Sequence, residues 1–390
     1  MILGKGWWSP VLAGVWLMSA ALVEAKETAS GLQWGAALPV HTFYDSNIFH
    51  AANSPVEDIG TRVSPSLFLG YKRHSWSLGV DGGWMRERFF GALENSPAQD
   101  RQSWDGAAAG SVNFATGLAL GSRYKYIDTE EPVYSELEQD RAPVRRFRHQ
   151  ATGNIGQKLG AGRLDTTLTY QFIADRYAAL ANQVLDSNNQ VLELKATVKA
   201  FPKTAFFAQT DAGFRRYLAR TRLISENHND VGLNGGMVGE WSPKFKGTIM
   251  LGGKVYVFET AGIQLVPTVK LDLTYTPNAL SELNAGYEHI LLDSTSTIYF
   301  NVDRLRLGMT RKLSRSWEFY AVSKLGYLRY SDPFPRADLT FLGGAGFLVK
   351  PVPWPQLEID LRYGYDYRDS EVARFRYISQ NIGVELLWKL

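Results

Sequence analysis

Beyond about residue 30 the chain alternates apolar and polar side chains with a period of two, and it holds that alternation for roughly ten residues at a time. The segment LEIDLRYGYDY places Leu357, Ile359, Leu361, Tyr363, Tyr365 and Tyr367 on one face. Glu358, Asp360, Arg362, Gly364 and Asp366 fall on the other. RLDTTLTYQF sets Leu164, Thr166, Leu168, Tyr170 and Phe172 against Asp165, Thr167, Thr169 and Gln171. VLELKATVKA sets Leu192, Leu194, Ala196, Val198 and Ala200 against Glu193, Lys195, Thr197 and Lys199. Successive side chains of a strand point to opposite faces, so each segment is an amphipathic β-strand.

Soluble sandwiches alternate too, so three further features carry the argument. The strands are long, about the ten residues that a tilted strand needs to cross a bilayer. Aromatic residues such as Trp76, Trp84, Trp241, Trp317, Tyr365, Tyr367 and Trp388 gather toward strand ends on the apolar face, as in the girdles of membrane barrels. Short connections rich in Gly, Pro, Ser and Asn alternate with longer polar ones, the arrangement of periplasmic turns and extracellular loops. Counting strands between them predicts an all-β fold: a single antiparallel up-and-down transmembrane barrel of about eighteen strands over 26–390. Both chain ends then fall on the short-turn side.

Parity assigns the mid-strand charges to the face opposite the aliphatic one. Asp81, Arg123, Lys125, Glu193, Lys195, Lys254, Lys270, Asp272, Glu288, Arg304, Arg306, Lys324, Glu358, Asp360, Arg362 and Glu385 all take that side, with Arg146 and Arg148 near the outer mouth. A charge facing lipid at mid-depth costs roughly 2–4 kcal/mol, so this face points into water. About eighteen strands enclose more space than side chains fill, which predicts an aqueous channel. Phe207, Tyr256, Phe258 and Tyr320 are inward aromatics, either packing residues or a track on which sugar rings stack. The segment 128–140 holds six acids and no base, followed by Arg141, Arg145, Arg146 and Arg148. It is either a solvated, self-neutralised loop or a charged gate, with calcium a conceivable partner of the acids.

Composition removes other classes. Net charge is only +3, which leaves no basic surface for nucleic acid. Past the N-terminus there is no apolar run of about 18 residues, so a helical bundle is excluded. There is no cysteine, and the six histidines lack metal-ligand spacing. No catalytic motif is present and no cofactor is expected. The start, MILGKGWWSPVLAGVWLMSAALVEA, has one basic residue, an apolar stretch and small residues at 23 and 25. It has the form of a secretory signal peptide cut after Ala25.

HTFYDSNIFHA at 41–51, followed by VSPSLFLGYKRHSWSLGVDGGW, resembles the putative beta-barrel porin 2 family. Tyr44, Asp45, Asn47, Ile48 and Phe49 carry the likeness together with the first hairpin. The family includes outer-membrane proteins of exopolysaccharide biosynthesis operons. The resemblance implies a Gram-negative outer-membrane location, a polysaccharide substrate and a periplasmic polysaccharide-export partner. It implies no catalytic residue. Taken by themselves, Asp45 and Asn47 satisfy turn backbone groups where the first strand ends at Tyr44. A diffusion porin for small solutes, general or selective, and a structural or adhesive barrel are the alternatives.

The chain ends in QNIGVELLWKL. Ile382, Val384, Leu386, Trp388 and Leu390 form its lipid face, and Asn381, Gly383, Glu385, Leu387 and Lys389 its lumen face. The spacing of Asn381, Gly383, Leu386, Trp388 and Leu390 resembles the C-terminal signal read by the barrel-assembly machinery. The last strand is expected to close against the first, because lipid tolerates no open edge.

Overall fold

The computed structural model describes residues 26–27, 31–48, 50–90, 100–130, 144–218, 226–294 and 297–389. They form a closed antiparallel barrel of eighteen strands in sequence order. The strands are β1 (Leu32–Asp45), β2 (Asp58–Val63 and Ser66–Lys72), β3 (Trp76–Phe89), β4 (Arg101–Asn113), β5 (Leu118–Thr129) and β6 (Arg146–Leu159). Then come β7 (Leu164–Tyr177), β8 (Ser187–Phe201), β9 (Thr204–Tyr217), β10 (His228–Ser242), β11 (Phe245–Phe258) and β12 (Ile263–Asn278). The last six are β13 (Ser281–Asp293), β14 (Tyr299–Lys312), β15 (Trp317–Tyr330), β16 (Arg336–Val349), β17 (Leu357–Ser370) and β18 (Tyr377–Lys389). The break in β2 falls at Ser64 and Pro65, where proline has no N–H for a ladder. Lys26–Glu27 add a short pairing to Trp34 and Gln33 of β1.

The barrel closes between β1 and β18, from Ala37 opposite Lys389 to Asp45 opposite Asn381. Most strands hold 13–15 residues, long enough for a tilted crossing. Their outward faces are strongly apolar and open: Leu67 and Leu233 are each 68 % exposed. A water-soluble surface does not carry such a continuous apolar belt, whereas a lipid-facing one requires it.

All turns between β2 and β3, β4 and β5, and so on to β16 and β17 lie at one end, together with both ends of the described chain. The loops lie at the other. Their lengths are uneven around the mouth. Connections 46–57, 90–100, 130–145, 178–186 and 218–227 are long, while 259–262, 294–298, 331–335 and 371–376 are short. The longer connections thus all fall among the first ten strands. Two short 3-10 segments, Leu180–Leu185 and Ala373–Phe375, occupy loops that the sequence pattern had left without helix.

Candidate lumen pathway and barrel seam

The alternation that places aliphatic residues against lipid turns the charged residues inward, and there they pair along a strand or with one of the next two strands. Over β3–β7, Arg123 pairs with Asp81 at 3.2 Å, Lys125 with Asp105 at 3.2 Å, and Arg148 with both oxygens of Asp175 at 2.7 and 2.9 Å. Over β9–β14, the Lys254 ammonium lies between Asp211 at 2.7 Å and Asp230. Arg304 meets Glu288 at 2.7 Å, and Arg306 and Lys270 share Asp272. Over β17 and β18, Arg362 bridges Asp360 at 2.7 Å and Glu385 at 3.0 Å, and Lys389 meets Glu358 at 2.8 Å.

Some of the predicted cations take other surroundings. The Lys195 ammonium stands 4.5 Å from the Phe207 ring centre, a cation–π contact, and Arg146 lies opposite Tyr177. The sequence pattern missed the carboxylates that complete these pairs. Asp105, Asp175, Asp211 and Asp230 sit on inward positions and were recoverable from parity. The pairing itself is long-range and was not.

Water reaches these groups unequally. Asp81, Arg123, Lys125, Asp105, Lys270 and Asp272 are each a third or more exposed. Arg362, Glu87, Asp338 and Arg368 are almost fully buried. Glu87 accepts from Arg62 and Arg101, and Asp338 from Arg336 and Arg368, so each buried carboxylate faces two guanidinium groups. The inner face is thus wet at β3–β5 and again at β12, and an arc around β16–β18, β1 and the loop-side end of β3 is packed. The inward aromatics belong to packing. Phe207, Tyr256 and Phe258 are buried, and the Tyr320 hydroxyl donates to Asp360 at 2.7 Å. Of the two readings of these four rings, the contacts support packing: Lys195 covers Phe207, neighbouring apolar side chains cover Tyr256 and Phe258, and Asp360 holds Tyr320.

The packed arc includes the residues that carried the family likeness. β1 ends at Asp45, one residue beyond the expected Tyr44. The Asp45 carboxylate accepts from the Asn47 N–H at 2.8 Å, the expected local turn bond, and also from the Ser379 hydroxyl at 2.6 Å. The Asn47 amide donates to the Ile378 carbonyl at 3.0 Å and to the Ala51 carbonyl at 3.0 Å. Ser46 N–H donates to Gln380 O, and the His50 ring stacks on Tyr377 at 4.0 Å. The first loop therefore folds onto the lumen side of β18 and fastens the seam. Ile48 is buried beneath it, and Phe49 lies outside the described residues.

In the C-terminal strand, Leu386 and Trp388 face outward, and Asn381 and Gly383 face inward. A side chain at Gly383 would collide with the buried His41 imidazole, so glycine is needed there for space. Leu390, the 1–25 segment and residues 131–143 of the acidic loop lie outside the described residues. Among the described residues no cluster of His, Asp or Glu is arranged to hold a metal ion.

The family model described as putative beta-barrel porin 2 matches residues 35–262, more than half of the chain. A search of curated proteins gave no match. Similar solved structures include the outer membrane protein OpdK from Pseudomonas aeruginosa, at 10 % identity and a TM-score of 0.51, covering 92 % of this chain and 98 % of that one. OccK8 (OprE) from the same organism gives 11 % identity, a TM-score of 0.51 and the same coverages. OccAB3 from Acinetobacter baumannii gives 10 % identity, a TM-score of 0.50, and coverages of 92 % and 99 %. At such identities these structures speak for the fold alone.

Proposed function

Since the chain belongs to the putative beta-barrel porin 2 family, we propose that it is an outer-membrane channel through which a bacterial exopolysaccharide leaves the cell. The observation that carries this reading is the inner face itself. Its wet stretches present cations and carboxylates already paired at 3.2–3.6 Å, as in Arg123–Asp81, Lys125–Asp105 and Lys270–Asp272. Paired groups exchange hydrogen bonds with sugar hydroxyls, yet they hold no strong net charge that would trap a polymer. Transport in this account is passive, with water solvating the chain of sugars. A periplasmic export protein docks at the turn-side rim and delivers the polymer. Polysaccharide retained in the periplasm of a deletion strain is the expected outcome, and undiminished secretion overturns the reading.

The same paired face suits a diffusion porin for small solutes. It favours neither sign and leaves a hydrated arc. Liposome swelling separates the two readings. Flux of mono- and disaccharides without any secretion defect in the deletion strain selects the porin.

A further inference from the structure

The wall is not zipped along its whole height. Between β12 and β13 the ladder runs from Tyr275 opposite Leu283 to Val269 opposite His289 and stops there. Both strands continue toward the loops. Ile263–Thr268 of β12 pairs only with β11, and Ile290–Asp293 of β13 pairs only with β14. At every other junction the ladder reaches within two residues of the loop-side end of at least one strand. The unzipped stretch of β12 spans about 20 Å at 3.4 Å per residue.

Pro267 explains where the ladder ends. Phe258 N–H donates to Gly262 O, and Thr276 N–H to Lys244 O. Even-numbered residues of β12 therefore turn their N–H and C=O groups toward β11, and odd-numbered ones toward β13. Pro267 is odd and has no N–H to give, directly above the last paired residue, Val269. Beyond it, the backbone edges at Ile263 and Leu265 find no ladder partner in β13.

The end of β13 has moved behind β12. By parity Leu291 and Asp293 belong on the lipid side. Instead Leu291 is buried with Tyr256, Phe258 and Val266, all lumen-side residues. Asp293 forms ion pairs with Arg215 and, at 3.4 Å, with His228, inward residues of β9 and β10. On the outside, Ile263 and Leu265 are 71 % and 75 % exposed. Apolar side chains thus lie on both sides of the unzipped edge, Ile263 and Leu265 toward the lipid-facing belt and Leu291, Val266, Tyr256 and Phe258 toward the lumen. The Arg215–Asp293–His228 contacts hold the displaced end of β13 on the lumen side. With no ladder hydrogen bonds to break, this is a line along which β12 and β13 can part at low cost.

We propose that the interrupted junction between β12 and β13 is a lateral port that admits the acyl chain of an outer-leaflet amphiphile. The occupant is committed by continuity: the port opens from the apolar belt that already faces acyl chains, and apolar side chains line it on both sides. Withdrawal of Leu291, when the Asp293 contacts release, lets the chain reach Tyr256 and Phe258. The proposal is independent of which polar solute uses the axial channel.

The test uses the full barrel in phosphatidylcholine vesicles carrying a diazirine at the acyl terminus. After irradiation, labelled residues are mapped by mass spectrometry in the wild-type protein and in Asp293→Asn. Phe207 and Tyr320, inward residues on fully zipped walls, are the internal controls. The expected result is labelling of Tyr256 and Phe258 at least several-fold above both controls in the wild type, rising further in Asp293→Asn. Labelling of Tyr256 and Phe258 no greater than the controls in the wild type overturns the proposal, whether or not the variant folds. Enrichment that Asp293→Asn leaves unchanged, in a heat-modifiable variant, overturns the role of the latch.

Discussion

Single residues in this barrel are held by neighbours far away in sequence. Lys254 neutralises Asp211 and Asp230 at once, in a setting where all three groups are mostly buried. Lys254→Ala leaves two carboxylates facing each other and should cost about 3 kcal/mol, as removal of one partner from a buried pair does. The loss appears as a lower urea midpoint for refolding into vesicles, and Asp230→Asn in the same chain should recover part of it. Arg123→Ala, at a half-exposed pair, should change that midpoint by no more than about 1 kcal/mol. At the seam, Ser379→Ala removes the hydroxyl that donates to the buried Asp45 carboxylate and should cost about 1–3 kcal/mol. At the C-terminus, replacing Trp388 and Leu390 by Asp should abolish assembly. Heat-modifiable protein in the outer membrane of that mutant would contradict the assembly-signal reading.

At the scale of the strands, period-two alternation was enough to read the two faces of the sheet. In β8, for example, Leu194 faces out and Thr197 faces in. Leu194→Arg should therefore cost roughly 2–4 kcal/mol in refolding experiments, whereas Thr197→Arg should be tolerated. Equal costs would mean that the faces are misassigned. Alternation does not carry through to Leu291 and Asp293, because Pro267 on the neighbouring strand leaves the junction unzipped and β13 turns inward there. The motif at Asp45 and Asn47 was legible as a turn. Its bonds to Ile378 and Ser379 were not, since nothing local in the first fifty residues points to the last fifteen. The inward rings of Tyr256 and Phe258 were legible as inward, while their burial depended on that same displaced strand.

Across the whole molecule, the inner face of the closed barrel is wet at β3–β5 and β12 and packed around the seam. The first loop folds onto the seam, and hydrated charge pairs line the wall of β3–β5. Turns and both ends of the described chain occupy the opposite rim, where a periplasmic partner would deliver a polymer. This account makes the paired inner face a conduit for a hydrated polysaccharide. Its most direct test is the amount of exopolysaccharide released per cell by a strain lacking this protein, with the wild-type gene restored on a plasmid as the control. The account predicts a several-fold fall in released polymer, with polymer accumulating in the periplasm and release restored by the plasmid. Release at the wild-type level from the deletion strain would contradict it.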